Sequence, residues 1–305
     1  MMDEATRASG QWAFERYETV RHRLPKARFP GEPEYANGLE DLRDEFDAFV
    51  FDSFGVLNVG ETPIPGAREC IEALRARGKH IAVLTNAATV PLAKLQQKYA
   101  ELGFAFDRNE IISSREVLGQ ALNCADNDLP WGVAAPISSN IDEFAIEYQS
   151  LTESDSAFDQ SGGFVLLSST DWNDRMQARL SKALTSRPRP LMIGNPDLVA
   201  PRELGFSLEP GAYAHDLADR LDIEPVFFGK PFSNAFDAVK ARIKSDIAPH
   251  RIAMIGDTLH TDILGGAAAG WRTILVTDDG LMKDLDFIAC IERSSIVPNY
   301  IVPRI

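Results

Sequence analysis

Cysteine is scarce in this chain: Cys70, Cys124 and Cys290 stand far apart, without a CxxC pair. An odd, scattered set suits neither a disulfide framework nor a zinc site and fits a reducing compartment, so a cytoplasmic location is expected. Long apolar runs are missing too. None approaches the roughly 18 residues of a membrane helix, and no membrane partner is expected. Blocks of Lys or Arg are absent and the net charge is −14. A nucleic-acid backbone is gripped by a concentrated positive face, which argues against nucleic acid as a partner. The same charge does not exclude a small anionic substrate, because local donors handle such a molecule. The opening MMDEATRASGQWAFERYETV is polar with early acids, unlike a secretory signal. Internal repeats and low-complexity segments are lacking, and a homo-oligomer is left open.

What is present is an ordinary globular composition, 45% hydrophobic and 25% charged over 305 residues, a length that allows about two domains. Ala13, Tyr17, Val20 and Leu24 recur at helical spacing, and prolines at 25, 30 and 33 then interrupt the chain before GLEDLRDEFD, a second short helix. Residues 1–45 therefore read as a helical extension that covers a core edge or a partner surface, with no chemistry of its own. From Asp47 the rhythm changes. DAFVFD, KHIAVLTN and EIISS alternate with the amphipathic GARECIEALRARG and LAKLQQKYAELG, and the pattern resumes at EPVFFGK, NAFDAVKARIK, RIAMIGD and RTILVTD. Apolar strands alternating with helices mean a parallel sheet buried on both faces, with ligands beyond the carboxyl ends of the strands. The less regular stretch 118–190 reads as an inserted second domain, leaving 46–117 and 191–305 as the core.

The segment FVFDSFGVL ends a buried strand on Asp52 and turns through Gly55. Thr85, with Asn86 beside it, ends the next strand; Lys230 follows VFFG; Asp257 ends IAMIG, with Asp262 five residues on. If these strands are neighbours, carboxylates, a hydroxyl and an ammonium share one pocket. Converging carboxylates repel unless a cation sits among them, and Mg²⁺ favours a few carboxylate oxygens plus water. A carboxylate beside Mg²⁺ and a lysine can attack phosphorus while the positive groups neutralise the phosphoryl oxygens. Thr85 and the amides of the Phe54–Gly55 turn would add donors. Thr85 has a second reading, as a helix cap.

In order and spacing, FDSFGVL with IPGA at 64–67, LTN at 84–86, NPD at 195–197, GKP at 229–231 and GDTLHTDILGGAAAG from Gly256 resemble the haloacid dehalogenase superfamily, specifically its class IIA, nitrophenylphosphatase-like phosphatases. The resemblance spans about residues 46–305. It implies a Rossmann-like core with an α/β cap of the C2 type inserted between the second and third motifs. It also implies a Mg²⁺-dependent hydrolase of a small phosphorylated metabolite. Asp52 would be nucleophile and metal ligand, the Phe54 carbonyl a second ligand, and Asp257 with Asp262 the acidic metal site. Thr85 would bind phosphate, Lys230 would stabilise it, and Asn195 would lie near the substrate. Spacing agrees: Thr85 follows Asp52 by only 33 positions, whereas Lys230 follows Thr85 by 145, so only the second interval holds a cap. Within it, the loop Ser168–Asn173 is the expected substrate-facing part.

One position departs from the family. Phosphatases of this superfamily carry a second Asp two residues after the nucleophile, as the general acid and base, and this chain has Phe54. A positioned acid/base contributes about 10²–10⁴-fold in rate. Two other functions stay open on this account: a degenerate member that binds a phosphorylated ligand without efficient turnover, and a hydrolase of another electrophile.

Overall fold

The computed structural model describes residues 9–125, 128–202, 205–244 and 246–305. Seven parallel strands form the main sheet, in the order Glu34–Tyr35, Tyr300–Val302, Arg272–Val276, Ile252–Gly256, Ala48–Phe51, His80–Thr85, Ile111–Ser113. Side chains alternate across a strand. Phe49 and Phe51 therefore enter one layer with Ile71 and Leu74 of the helix Ala67–Ala76 and Leu95 and Tyr99 of the helix Leu92–Glu101. Ala48 and Val50 enter the opposite layer, with Leu118 and Leu122 of Ser114–Asn123 and Phe236 and Val239 of Ser233–Lys240. This two-sided burial explains why the strand is apolar at every position and why polarity begins only past its end, at Asp52.

A second sheet of five parallel strands runs Val226–Phe227, Leu191–Ile193, Gly163–Leu166, Trp131–Ala134, Tyr148–Ser150. The α/β core with an α/β insert is thus present, but the insert is longer than the expected 118–190. Leu191–Ile193 pairs with Gly163–Leu166, and Val226–Phe227 pairs with Leu191–Ile193. The chain returns to the core only after residue 227. A short apolar strand satisfies either sheet equally well, and the pattern alone does not say which one takes it. EPVFFGK is accordingly not a core strand, and Lys230 reaches the site on the loop that leaves the insert.

Residues 1–45 also differ from a purely helical extension. The helix Gly10–Thr19 is capped by the Ser9 side chain and buries Ala13, Phe14 and Tyr17. Glu34–Tyr35 adds an edge strand to the main sheet, and GLEDLRDEFD makes only a single 3₁₀ turn, Leu39–Leu42. Residues 1–8 lie outside the described part. The Gly10–Thr19 helix packs against both units. Its apolar face meets Leu198, Val199 and Ala212 from the insert and Leu259, Ile263 and Leu264 from the core. Arg16 and Arg23 pair with Asp219 at 2.5 and 2.7 Å, and Glu18 meets His260 at 2.6 Å.

Phe49 is wholly buried in the central strand, between rings of Phe46 and Phe51. Phe49→Ala should cost about 3–5 kcal/mol of stability through the cavity it leaves. Urea unfolding measures this directly, and a loss below about 1 kcal/mol would contradict this packing.

Candidate active site

The strand order builds the site. Ala48–Phe51 lies between Ile252–Gly256 and His80–Thr85, so Asp52, Asp257 and Thr85 emerge side by side at one edge. The backbone N–H of Asp52 still donates to the Ile255 carbonyl at 2.8 Å, which carries the ladder one residue past the strand and fixes where the carboxylate starts. Lys230 Nζ donates to Asp52 Oδ1 at 2.5 Å and lies 2.7 Å from Asp262 Oδ1. Asp52, Asp257 and Asp262 each offer an oxygen within 4.8 Å of the others'. All three carboxylates and the lysine are buried.

Space for this cluster comes from two glycines. Gly55 and Gly280 have φ of +83° and +73°, and a Cβ on either would stand 2.5 or 1.9 Å from Asp257 Oδ2. Glycine alone supplies both the left-handed backbone and the room. Asp257 is then held by the Leu281 N–H at 2.6 Å and the Thr258 hydroxyl at 2.9 Å, and Asp262 Oδ2 accepts the Thr258 N–H at 3.1 Å. The amide of Gly55, expected among the ligand donors, is instead spent on the Asn58 carbonyl at 2.8 Å.

Electrostatics follow from three acids around one ammonium. Burial, with Asp262 nearby, raises the Asp52 carboxyl to about 7 despite Lys230. Burial, Asp52 and Asp262 push Asp257 well above the usual carboxylate range. Burial opposes the charge on Lys230, yet Asp262, Asp52 and Asp197 together hold it firmly protonated. The acids outnumber the cation, and a buried set of converging carboxylate oxygens suits a divalent cation with oxygen ligands. The residues present fit Mg²⁺.

A cavity of about 280 Å³ opens above the cluster, and Asp52, Phe54, Thr85, Asn86, Asn195 and Lys230 are all on its wall. Thr85 Oγ1 accepts the Ala87 N–H at 3.2 Å. The Asn86 amide is largely spoken for. Its Oδ1 accepts the Lys230 N–H at 2.8 Å, and its Nδ2 donates to the Lys230 carbonyl at 3.0 Å and to Asp197 Oδ1 at 2.8 Å. Asn195 likewise accepts the Asp197 N–H at 3.0 Å and donates to Glu209 at 3.0 Å. Phe54 presents its ring to Lys98, whose ammonium lies 4.9 Å from the ring centroid. The Ser168–Asn173 loop contributes Thr170 to the wall.

Asp197 and Tyr17 are among the wall residues that sequence reasoning misses. Asp197 sits in the NPD motif, where Asn195 had drawn attention as the substrate neighbour. Tyr17 belongs to a helical stripe that reads as core, and nothing local marks it. Its ring stacks on His260 at 4.9 Å and its oxygen accepts the Leu198 N–H at 3.1 Å.

A parallel α/β core, a second α/β unit between its motifs and a carboxylate–lysine cluster at the strand ends define a hydrolase of the haloacid dehalogenase type, and the chain belongs to this family. Residues 49–135 match a haloacid dehalogenase-like hydrolase model and 227–303 a second HAD-hydrolase-like model. The human glycerol-3-phosphate phosphatase is 30% identical over 301 residues, 88% of this chain and 92% of that protein. The 4-nitrophenylphosphatase of Schizosaccharomyces pombe is 25% identical, over 86% of this chain and 93% of its own. Among solved structures, a possible sugar phosphatase from Cytophaga hutchinsonii superposes with a TM-score of 0.78 at 25% identity, covering 89% of this chain and 98% of that one. No helix among the described residues is long and apolar enough to cross a membrane.

The raised acids make a metal-free prediction. Between the ordinary carboxylate value of 3.8 and about 7 for Asp52 or about 8 for Asp197, the folded state holds protons that the unfolded chain has released. Stability in chelator should therefore fall as pH rises from about 4 to about 8. Asp257→Asn removes one such acid and relieves its neighbour, so it should flatten the decline in urea midpoints across that window. An unchanged slope would contradict the electrostatics described here.

Proposed function

We propose that the chain is a Mg²⁺-dependent phosphatase of a small phosphorylated metabolite, working through an aspartyl-phosphate on Asp52. The observation that carries this reading is the Asp52–Lys230 contact of 2.5 Å on the wall of the cavity, with Asp257 and Asp262 beside it. Asp52, Asp257, Asp262 and the Phe54 carbonyl would hold the ion. Bound there, Mg²⁺ would lower the pKa of the Asp52 carboxyl and help neutralise the phosphoryl group.

The chain's own residues do the rest. Asp52 Oδ attacks phosphorus, and the bond to the leaving oxygen breaks. Lys230 is fixed by Asn86 through both backbone groups, so its ammonium meets the developing phosphoryl charge without reorganising. Thr85 donates its hydroxyl proton to a phosphoryl oxygen. The insert adds Thr170, Arg202 and Glu209 to the cavity wall, a polar set suited to a hydroxylated organic group. A glycerol phosphate, the substrate in the human relative's name, is of the size and polarity this cavity takes. A reducing, cytoplasmic setting fits the free thiols of Cys70, Cys124 and Cys290.

Phe54 favours a second reading, a ligand-binding protein without turnover. The two separate cleanly. The phosphatase reading expects Mg²⁺-dependent release of nitrophenolate from 4-nitrophenyl phosphate that falls at least about a thousandfold in Asp52→Asn. It also expects Mg²⁺ to raise the melting temperature, more at pH 8 than at pH 5, because the ligands must be ionised. Binding of phosphate and Mg²⁺ with no Asp52-dependent release would establish the second reading.

A further inference from the structure

If the phosphatase reading holds, a proton must reach the leaving oxygen and another must leave the attacking water, and Phe54 can do neither. We propose that Asp197 performs both transfers, as the acid and base of this active site. It is a different residue, on a different segment, from the one that does this work in the family's usual pattern.

The first support is placement. Asp197 lines the same cavity as Asp52. An unbroken set of bonds registers the two: Asp197 Oδ1 to Asn86 Nδ2 at 2.8 Å, Asn86 to the Lys230 backbone at 2.8 and 3.0 Å, and Lys230 Nζ to Asp52 at 2.5 Å. The backbone around Asp197 is pinned on both sides. Its own N–H goes to Asn195 Oδ1 at 3.0 Å, and the next N–H, of Leu198, goes to the Tyr17 oxygen at 3.1 Å. Asn195 is fixed in turn by Glu209. A group held this firmly meets the geometric demand on a proton-transfer residue. Its second oxygen, Oδ2, has no protein partner among the described residues.

The second support is elimination along the cavity wall. Burial raises the Glu209 carboxyl too, but both of its oxygens are already engaged, accepting from Ser207 at 2.6 Å, Arg202 at 3.0 Å and Asn195 at 3.0 Å, so neither is left to meet a ligand. Glu61 is paired with Lys98 at 2.7 Å. Asp257 and Asp262 belong to the metal cluster. The Tyr17 phenol is kept protonated by burial and by Asp197, so it makes a fixed donor and a poor base. Asp197 remains. The titratable groups that bear on it are Lys230, Asp52, Asp262 and Tyr17. Burial, opposed by Lys230 and reinforced by Asp52 and Asp262, lifts its carboxyl to about 8, which leaves it a proton at neutral pH.

The steps balance. As Asp52 forms its bond to phosphorus, the departing oxygen takes the Asp197 carboxyl proton and leaves as an alcohol. The Asp197 carboxylate then takes a proton from water as that water attacks the aspartyl-phosphate. Phosphate leaves, Asp52 is restored and Asp197 is again protonated.

The test compares wild type with Asp197→Asn on two substrates with Mg²⁺, in rapid-quench and steady-state modes. Nitrophenolate leaves without a proton, so Asp197→Asn should keep a burst of about one equivalent from 4-nitrophenyl phosphate, within roughly threefold of the wild-type rate. Its steady rate should drop about 10²–10⁴-fold, because the second step has lost its base. Turnover of glycerol phosphate should drop by as much with no burst, and Asp197→Glu should recover part of it. Equal losses in burst and steady rate would mark Asp197 as structural and overturn the proposal, as would glycerol phosphate turnover within threefold of wild type. Should Asp197→Asn fail to fold, the wild-type pH profile decides. The glycerol phosphate rate must decline above about pH 8 while the nitrophenyl burst rate does not, and parallel profiles overturn the proposal. No Asp52-dependent release in wild type would sink the phosphatase reading itself, and this role with it.

Discussion

A buried ammonium among three buried carboxylates is the constraint around which this molecule is organised. Lys230 lies 2.5 Å from Asp52 and 2.7 Å from Asp262, but one positive charge cannot balance three acids. Breaking such a set by removing one partner is strongly destabilising, since it strands a charge in a low dielectric. The fold arranges itself accordingly. Parallel strands deliver Asp52 and Asp257 at adjacent ends, Gly55 and Gly280 give up their side chains to make room, and Asn86 binds both backbone groups of Lys230. The residual negative charge is what a divalent cation would neutralise.

The insert and the N-terminal helix are bound to the same centre. The NPD segment leaves the second sheet and lays Asp197 against Asn86, and Tyr17 holds the following amide. Two arginines of the N-terminal segment grip Asp219 on the insert while Glu18 grips His260, two residues before Asp262. Residues 9–48 fall outside both matching family models, yet they supply Tyr17 to the cavity wall and fasten the two units together.

Much of this was legible in the sequence because the core strands carry their own punctuation. An apolar run ending on Asp52, Thr85 or Asp257 signals both a buried strand and a polar pocket at its carboxyl end. Leu191–Ile193 and Val226–Phe227 carry no such signal, since three apolar residues do not reveal which sheet will pair with them. That is why the insert was expected to end too early and Lys230 to end a core strand. Tyr17 was illegible for another reason: a helical stripe marks a buried face but not what the face is buried against. The turn through Gly55 is present, while its amide, expected to face the ligand, is engaged inside the turn. Asp197 is hidden in the sequence because the family motif points to its neighbour Asn195.

The central claim is that Asp52 carries the phosphoryl group during turnover. Acid-quenching the enzyme during reaction with 4-nitrophenyl phosphate and Mg²⁺, followed by peptide mass spectrometry, tests it directly. The account predicts one added phosphoryl group on the peptide containing Asp52, released by hydroxylamine and absent in Asp52→Asn. Steady turnover with no label on that peptide, or a label on a different residue, would contradict it.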